Sequence, residues 1–246
     1  MREYGLIGDK LTHSASQRYF TAKFEREGLA DHSYSLFELA EIGELKRLLA
    51  EHPDLCGFNV TIPYKQQVMP FLDEISFEAR NIGAVNCVRR AEDGRLIGYN
   101  TDVEGVRRSL DILLGDEQPR ALLLGTGGAS QAVQFALAER GIEYLLVSRD
   151  ASKGNLTYSQ VTAEVMADYH LIINATPVGT YPAVDAAPML PYAFLTPSHR
   201  LYDLVYNPAV TQFLDYGRQR GARTLNGETM FTTQAEANWR IWSGEM

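Results

Sequence analysis

An amine able to give up a proton stands at Lys65, the last residue of Gly57-Phe58-Asn59-Val60-Thr61-Ile62-Pro63-Tyr64-Lys65. Phe58, Val60 and Ile62 alternate with Asn59 and Thr61, which predicts a short strand with one apolar face. Pro63 has no N–H for a sheet ladder and suits the first turn of a helix, so the strand stops and a helix opens there. Lys65 then falls close to the positive end of a helix dipole, a poor place for a cation. It is either a solvated surface residue or a proton donor with a lowered pKa. Ser14 and Ser16 stand i, i+2 before a helical run from Arg18 to Glu27. One serine is enough to cap that helix; a second hydroxyl would be available to a polyol or carboxylate. Asn86 interrupts an apolar strand and Asp102 follows Asn100-Thr101. Each has a plain alternative, Asn86 satisfying a neighbouring backbone and Asp102 capping the helix that runs to Leu114. His13, His32, His52, His170 and His199 show no metal-ligand spacing.

A second group of residues points to a nucleotide. The apolar strand Ala121–Leu124 runs into Gly125-Thr126-Gly127-Gly128-Ala129-Ser130 and then a helix from Gln131 to Arg140. Strand, glycine turn and helix in that order are the context of the dinucleotide fingerprint, although Ser130 replaces its usual third Gly or Ala. Gly125 permits the turn, and Gly127 lets the backbone approach a pyrophosphate. The next strand, Glu143 to Val147, ends in Ser148-Arg149-Asp150-Ala151-Ser152-Lys153. An NAD enzyme usually places a carboxylate at the end of this strand for the ribose hydroxyl. Neutral Ser148 followed by Arg149 and Lys153 suits a 2′-phosphate instead, so the expected cofactor is NADP, with Asp150 kept as an alternative ribose ligand. Two more strands end in Asn174-Ala175-Thr176 and Tyr206-Asn207-Pro208, polar ends of the kind that line ligand crevices in α/β sheets.

The elements that must position these residues alternate. Strands at Tyr4–Ile7, Tyr34–Phe37 and Phe58–Ile62 are separated by helices at Arg18–Glu27 and Ile42–Ala50. Gly83–Val88 and Gly94–Tyr99 follow as strands joined by an Asp-Gly hairpin signal. This pattern predicts an α/β fold with mainly parallel sheet. At 246 residues the chain has room for one large domain or two small ones. A net charge of −8 argues against nucleic acid or an anionic membrane as main partner. Cys56 and Cys87 are too few for a disulfide framework, which fits a reducing cytoplasm. The N-terminus is too short and polar for a signal peptide, and no apolar run approaches the ~18 residues of a membrane span.

In order along the chain, Ser14-Ala15-Ser16, Asn59-Val60-Thr61-Ile62-Pro63-Tyr64-Lys65, Gly83-Ala84-Val85-Asn86 and Asn100-Thr101-Asp102 resemble the motifs of the shikimate dehydrogenase family. Gly125-Thr126-Gly127-Gly128-Ala129, Ser148-Arg149, Asn174-Ala175-Thr176, Asp203-Leu204-Val205-Tyr206-Asn207-Pro208 and Gln234 extend the resemblance through almost the whole chain. It implies a substrate domain over 1–101, onto which the last helix (228–246) packs back, and a Rossmann domain over 102–227. It further implies reversible NADPH-dependent reduction of 3-dehydroshikimate, with Lys65 and Asp102 as the catalytic pair. Ser14 and Ser16 would hold the substrate carboxylate, Thr61, Asn86 and Gln234 the ring hydroxyls, and Tyr206 the carboxylate end. Gly125, Thr126, Gly127, Gly128 and Ala129, with Ser148, Arg149 and Lys153, would hold the cofactor, and Thr176, Leu204 and Gly227 would lie about its nicotinamide side.

The chain departs from the family pattern at Gln17, where proline is usual, at Ser148-Arg149-Asp150, and at polar Glu228 and Thr229. The stretch between Lys153 and His170 is also short, which predicts a trimmed helix. A quinate or quinate/shikimate dehydrogenase using NAD or NADP, a methylenetetrahydrofolate dehydrogenase and a non-catalytic NADP-binding sensor are the competing readings. The retained Lys65 and Asp102 count against the sensor. The expected partner is a small-molecule substrate, and the oligomeric state, monomer or homodimer, stays open.

Overall fold

The structure, a computed structural model, describes residues 1–11 and 14–245. His13, named above, lies outside them. The chain divides into two units, Met1–Thr101 with Ala235–Met246, and Asp102–Gln234.

The first unit runs β1 (Arg2–Gly8), α1 (Ala15–Arg26), β2 (His32–Glu38), α2 (Leu45–Glu51), β3 (Leu55–Val60), α3 (Tyr64–Gln67), β4 (Glu74–Ile75), α4 (Phe77–Ile82), β5 (Cys87–Arg90) and β6 (Leu96–Tyr99). Its sheet has the order β2-β1-β3-β5-β6-β4. The β1 strand pairs in parallel with β2 and β3, and β4 with β6, while β5 is antiparallel to both its neighbours. The sheet is therefore mainly parallel, with β5 alone running against the other strands. The reversal comes from the turn at Ala91–Gly94, where Gly94 adopts φ +87° and its N–H donates to the Ala91 carbonyl at 2.9 Å. The α4 helix was not foreseen from the sequence; its signal is Ser76, whose Oγ accepts the Ala79 N–H at 3.2 Å.

The β3 strand lies inside the sheet, and both its faces are covered. Phe58 and Val60 join one core cluster, while Asn59 on the other face is only 5% exposed. The expected alternation fails at Ile62, which is 69% exposed, because the strand ends at Val60 and the chain turns. The Thr61 carbonyl accepts the Tyr64 N–H at 2.9 Å in that turn.

The second unit continues with α5 (Asp102–Leu114), β7 (Ala121–Leu124), α6 (Gly128–Glu139), β8 (Tyr144–Ser148), β9 (Leu156–Thr157), α7 (Ala163–Asp168), β10 (Leu171–Asn174), β11 (Arg200–Asp203), α8 (Gln212–Gln219), β12 (Arg223–Leu225) and α9 (Glu228–Ser243). All its strands are parallel, in the order β9-β8-β7-β10-β11-β12. This is the 3-2-1-4-5-6 arrangement of a Rossmann fold, with its switch point between β7 and β10. Leu122, Leu124, Val147, Ile172, Leu201 and Phe213 form its core. The short stretch before His170 holds β9, a single 3-10 turn at Tyr158–Gln160 and the six-residue α7. The α8 helix starts after the Thr211 cap, whose hydroxyl accepts the Leu214 N–H.

The α9 helix belongs to both units, its residues through Gln234 to the second and those from Ala235 to the first. Its start packs on α5 so closely that a Cβ at Gly105 would lie 2.5 Å from the Met230 carbonyl oxygen. The expected packing of 228–246 as a whole on the first domain is corrected accordingly. In the first unit, Trp242 stacks on Tyr4 with ring centres 5.1 Å apart and donates Nε1–H to the Val88 carbonyl at 3.0 Å. Glu236 pairs with buried Lys23 at 2.8 Å. Burial pushes the Lys23 ammonium down, yet Glu236 and Glu27 outweigh it and hold its pKa above the ordinary value. Glu228 and Thr229 are polar because they form the first turn of α9, where a carboxylate suits the dipole and Asn226 Oδ1 accepts the Glu228 N–H at 3.2 Å.

Among the described residues, no helix is long and apolar enough to cross a membrane. Both cysteines are free.

Candidate active site

The first unit gathers most of the expected substrate residues. Lys65 is the second residue of α3, a four-residue helix, and is half-buried. Its carbonyl accepts the Val85 N–H at 2.8 Å, which sets α3 beside the segment leading to Asn86. Thr61 precedes α3, its N–H donating to the Ile7 carbonyl at 2.9 Å. Asn86 is buried, and its carbonyl accepts the Val60 N–H at 2.9 Å and Asn59 Nδ2–H at 3.1 Å. The Asn86 side chain pairs with Thr101 rather than only satisfying a backbone group: Oδ1 accepts the Thr101 N–H at 2.7 Å and Nδ2 donates to Thr101 Oγ1 at 3.0 Å.

The two serines differ in what they touch. Ser14 is the N-cap of α1, its Oγ accepting the Gln17 N–H at 3.3 Å. Ser16 lies within the first turn, its hydroxyl beside that of Tyr34. Tyr34 donates to Asn59 Oδ1 at 2.8 Å. Burial raises the Tyr34 pKa well above the ordinary phenol value, and the Ser16 hydroxyl works in the opposite direction. Gln17, in place of proline, spends its side chain on the Tyr34 carbonyl at 3.4 Å.

The remaining expected residues belong to the second unit. Asp102 opens α5 and is buried. Tyr206 is partly exposed and stacks on Phe231, ring centres 5.0 Å apart. Gln234 is buried in α9, with Nε2–H on the Phe231 carbonyl at 3.0 Å.

The glycine turn sits at the switch point. Gly125 has φ +102°, and a Cβ there would lie 2.8 Å from the Thr176 methyl, so only glycine fits. Ser130 is no weakness in the fingerprint, since its Oγ donates to the Gly125 carbonyl at 2.7 Å and pins the turn. The 12-residue α6 begins at Gly128 with no side-chain cap at Gly127, and the space a Gly127 Cβ would fill is empty. Thr126 and Ala129 complete this turn. A pyrophosphate fits such a helix start, which offers uncapped N–H groups to an anion.

Ser148 ends β8, buried, with Arg149 exposed after it. Lys153 Nζ lies 3.8 Å from Asp150 Oδ2. Asp150 also accepts the Ser152 hydroxyl at 2.7 Å and backbone N–H at 2.9 Å, bonds that lower its pKa. The expected pair of cations is thus partly offset by a carboxylate. Thr176 donates to Asn174 Oδ1 at 2.6 Å, and Asn174 Nδ2 donates to Asp203 Oδ1 at 2.9 Å. Gly227 lies against Leu204, where a Cβ would come within 2.0 Å of the Leu204 carbonyl oxygen.

Four polar residues of this framework, Tyr34, Asn59, Asp203 and Asn238, whose Oδ1 accepts the Thr101 hydroxyl at 2.7 Å, were missed as site-builders. Asn59 and Asp203 left a trace, each being polar in or at the end of an apolar strand; Tyr34 and Asn238 left none.

The model of the shikimate dehydrogenase substrate binding domain matches residues 6–88. The shikimate dehydrogenase (NADP(+)) of Methanococcus maripaludis is 35% identical, over 98% of this chain and 91% of that protein. The protein of the same name from Caldanaerobacter subterraneus subsp. tengcongensis is 36% identical over the same shares. Among solved structures, shikimate 5-dehydrogenase from Thermus thermophilus, in complex with NADP(H) and shikimate, has TM-score 0.86 and 33% identity, covering 99% of this chain and 94% of that one. The quinate dehydrogenase of Corynebacterium glutamicum, in complex with NAD, has TM-score 0.88 and 29% identity, with the same coverage. With a Rossmann unit, a mixed-sheet unit carrying Ser14, Ser16, Thr61, Lys65 and Asn86, and relatives this similar along nearly the whole chain, this protein belongs to the shikimate dehydrogenase family.

Proposed function

We propose that this chain is an NADP-dependent shikimate dehydrogenase, which reversibly reduces 3-dehydroshikimate to shikimate on the route to chorismate and the aromatic amino acids. The observation that carries the reading is the Lys65–Val85 hydrogen bond, which holds a proton donor beside the segment delivering Asn86. Bound NADPH supplies the hydride. Gly125, Thr126, Gly127, Gly128 and Ala129 hold its pyrophosphate at the start of α6, while Ser148, Arg149 and Lys153 hold the adenosine ribose and its phosphate. Thr176, Leu204 and Gly227 border the nicotinamide.

Ser14 and Ser16 bind the substrate carboxylate with Tyr206 at the same end, and Thr61, Asn86 and Gln234 bind ring hydroxyls. Lys65 gives its proton to the former carbonyl oxygen as negative charge develops there, and Asp102 orients the lysine and a ring hydroxyl. In the reverse direction Lys65 takes the hydroxyl proton. The substrate is a small molecule, and two free cysteines suit the cytoplasm as its place of work.

A second reading, quinate oxidation with NAD, is favoured by one observation: Asp150 places a negative charge beside Lys153. Initial rates with shikimate and quinate against NADP and NAD test both. The proposal expects shikimate with NADP to give the highest kcat/KM. Faster turnover of quinate with NAD would replace it with the second reading, and no turnover of any pair would favour the sensor.

A further inference from the structure

Asn86, Thr101 and Asn238 form a buried chain of hydrogen bonds in the first unit, and the chain has a direction. Thr101 Oγ1 lies 3.0 Å from Asn86 Nδ2 and 3.2 Å from Asn86 Oδ1, within reach of either end of the amide. It lies closer to Asn238 Oδ1, at 2.7 Å. A hydroxyl has one proton to give, and the shorter contact, to an atom that can only accept, takes it. The Thr101 oxygen is then left to accept from Asn86 Nδ2, while the Thr101 N–H holds Asn86 Oδ1 at 2.7 Å. Both ends of the Asn86 amide are thereby specified. Its main chain is fixed from the opposite side by Asn59, which Tyr34 holds in turn.

Asn238 lies one turn beyond Gln234 on α9, so the two share a helix face. We propose that Asn238 is a positioning residue for the dehydrogenase reaction: by taking the Thr101 proton it keeps the Asn86 amide in the single orientation that meets a substrate hydroxyl. Without that acceptor the Thr101 proton turns to Asn86 Oδ1, Asn86 Nδ2 loses the oxygen it donates to, and the amide is left held by the Thr101 N–H. The inference rests on the reading of Asn86 as a substrate ligand.

The test is a double-mutant cycle in the full-length enzyme, reading kcat, KM for shikimate, KM for NADP and thermal melting. Asn238→Leu removes the acceptor at similar volume, and Asn238→Asp keeps an oxygen in its place. Asn238→Leu is expected to raise KM for shikimate about threefold to tenfold, as for the loss of one hydrogen bond, with KM for NADP unchanged. Asn238→Asp should recover most of that rise. In an Asn86→Ala background, Asn238→Leu should add nothing further, because the two act as one unit. An unchanged KM in Asn238→Leu, or an equal rise in both backgrounds, would overturn the proposal. If Asn238→Leu fails to fold, Asn238→Ala removes the same acceptor and must show the same coupling to Asn86. A wild-type KM in Asn86→Ala alone would strike down the reading of Asn86, and the proposal with it.

Discussion

The Lys65 carbonyl and the Val85 N–H meet at 2.8 Å, so the lysine helix is anchored by its main chain to the neighbouring segment. A helix of four residues does not hold itself together. Here Tyr64 helps: its hydroxyl donates to the Leu39 carbonyl at 2.7 Å from a buried position, and its own carbonyl accepts the Val68 N–H at 2.9 Å. These ties involve backbone and a tyrosine, and they survive removal of the lysine side chain.

Lys65→Ala is therefore expected to lower kcat by roughly 10² to 10⁴ while the melting temperature stays near that of the wild type. Shikimate affinity should change far less than turnover, the mark of an interaction made mainly in the transition state. Lys65→Arg should not restore the rate, since a guanidinium keeps its proton at neutral pH. Steady-state rates at saturating shikimate decide the matter, and unchanged turnover removes Lys65 from the mechanism.

Ser14 and Ser16 should separate into different phenotypes. Ser14→Ala loses a helix cap and should cost about 1 kcal/mol of stability in addition to weakening substrate binding. Ser16→Ala should raise KM for shikimate with little change in melting temperature, because Ser16 caps nothing. Equal melting shifts for the two variants would contradict this division.

In the proposed cofactor site three charged residues stand close along the chain, Arg149, Asp150 and Lys153. Arg149→Ala should weaken NADP binding and leave NAD nearly untouched. Asp150→Asn, which frees Lys153 of its partner, should tighten NADP binding. Calorimetric titration with each dinucleotide reads both effects, and equal losses for NADP and NAD in Arg149→Ala would sink the assignment.

Asp203 makes stability depend on pH. Burial raises its pKa from 3.8 to about 6, against the bonds from Thr211, Val205 and Asn174 that lower it. Between these values the folded protein keeps a proton that the unfolded chain has released. The resulting contribution is fully present below pH 3.8 and is lost as pH rises through about 6. The slope from this group is at most about 1.4 kcal/mol per pH unit. Asp203→Asn should flatten that part of the profile in urea unfolding from pH 4 to 7, and an unaltered profile would assign the dependence elsewhere.

Where sequence reading worked, the signal was local. The strand, glycine turn and helix at 121–139 follow from chain order alone, and so do Lys65 after Pro63 and the Rossmann alternation. It failed where tertiary contacts decided the outcome. The one-faced pattern of β3 broke down because a strand inside a sheet is covered on both faces, which buries Asn59 and leaves Ile62 outside the strand. Asn238 gave no sign because its partner, Thr101, is 137 residues away. Lys153 read as a cofactor cation, and only the geometry of the turn showed Asp150 beside it.

Trp242 on Tyr4 has a consequence for how the polypeptide is made. One core cluster of the first unit contains Tyr4 from β1, Phe20 and Phe24 from α1, and Ile241 and Trp242 from α9. During synthesis residues 1–101 leave the ribosome before Trp242 does, so the groove at Gly57 and Val88 that takes its indole stays open to water until that residue is made. The Rossmann sheet, whose strands all lie between residues 121 and 225, can close while that groove still waits. Nascent chains stalled before Ala235 should accordingly carry a protease-resistant second unit and a protease-sensitive first one.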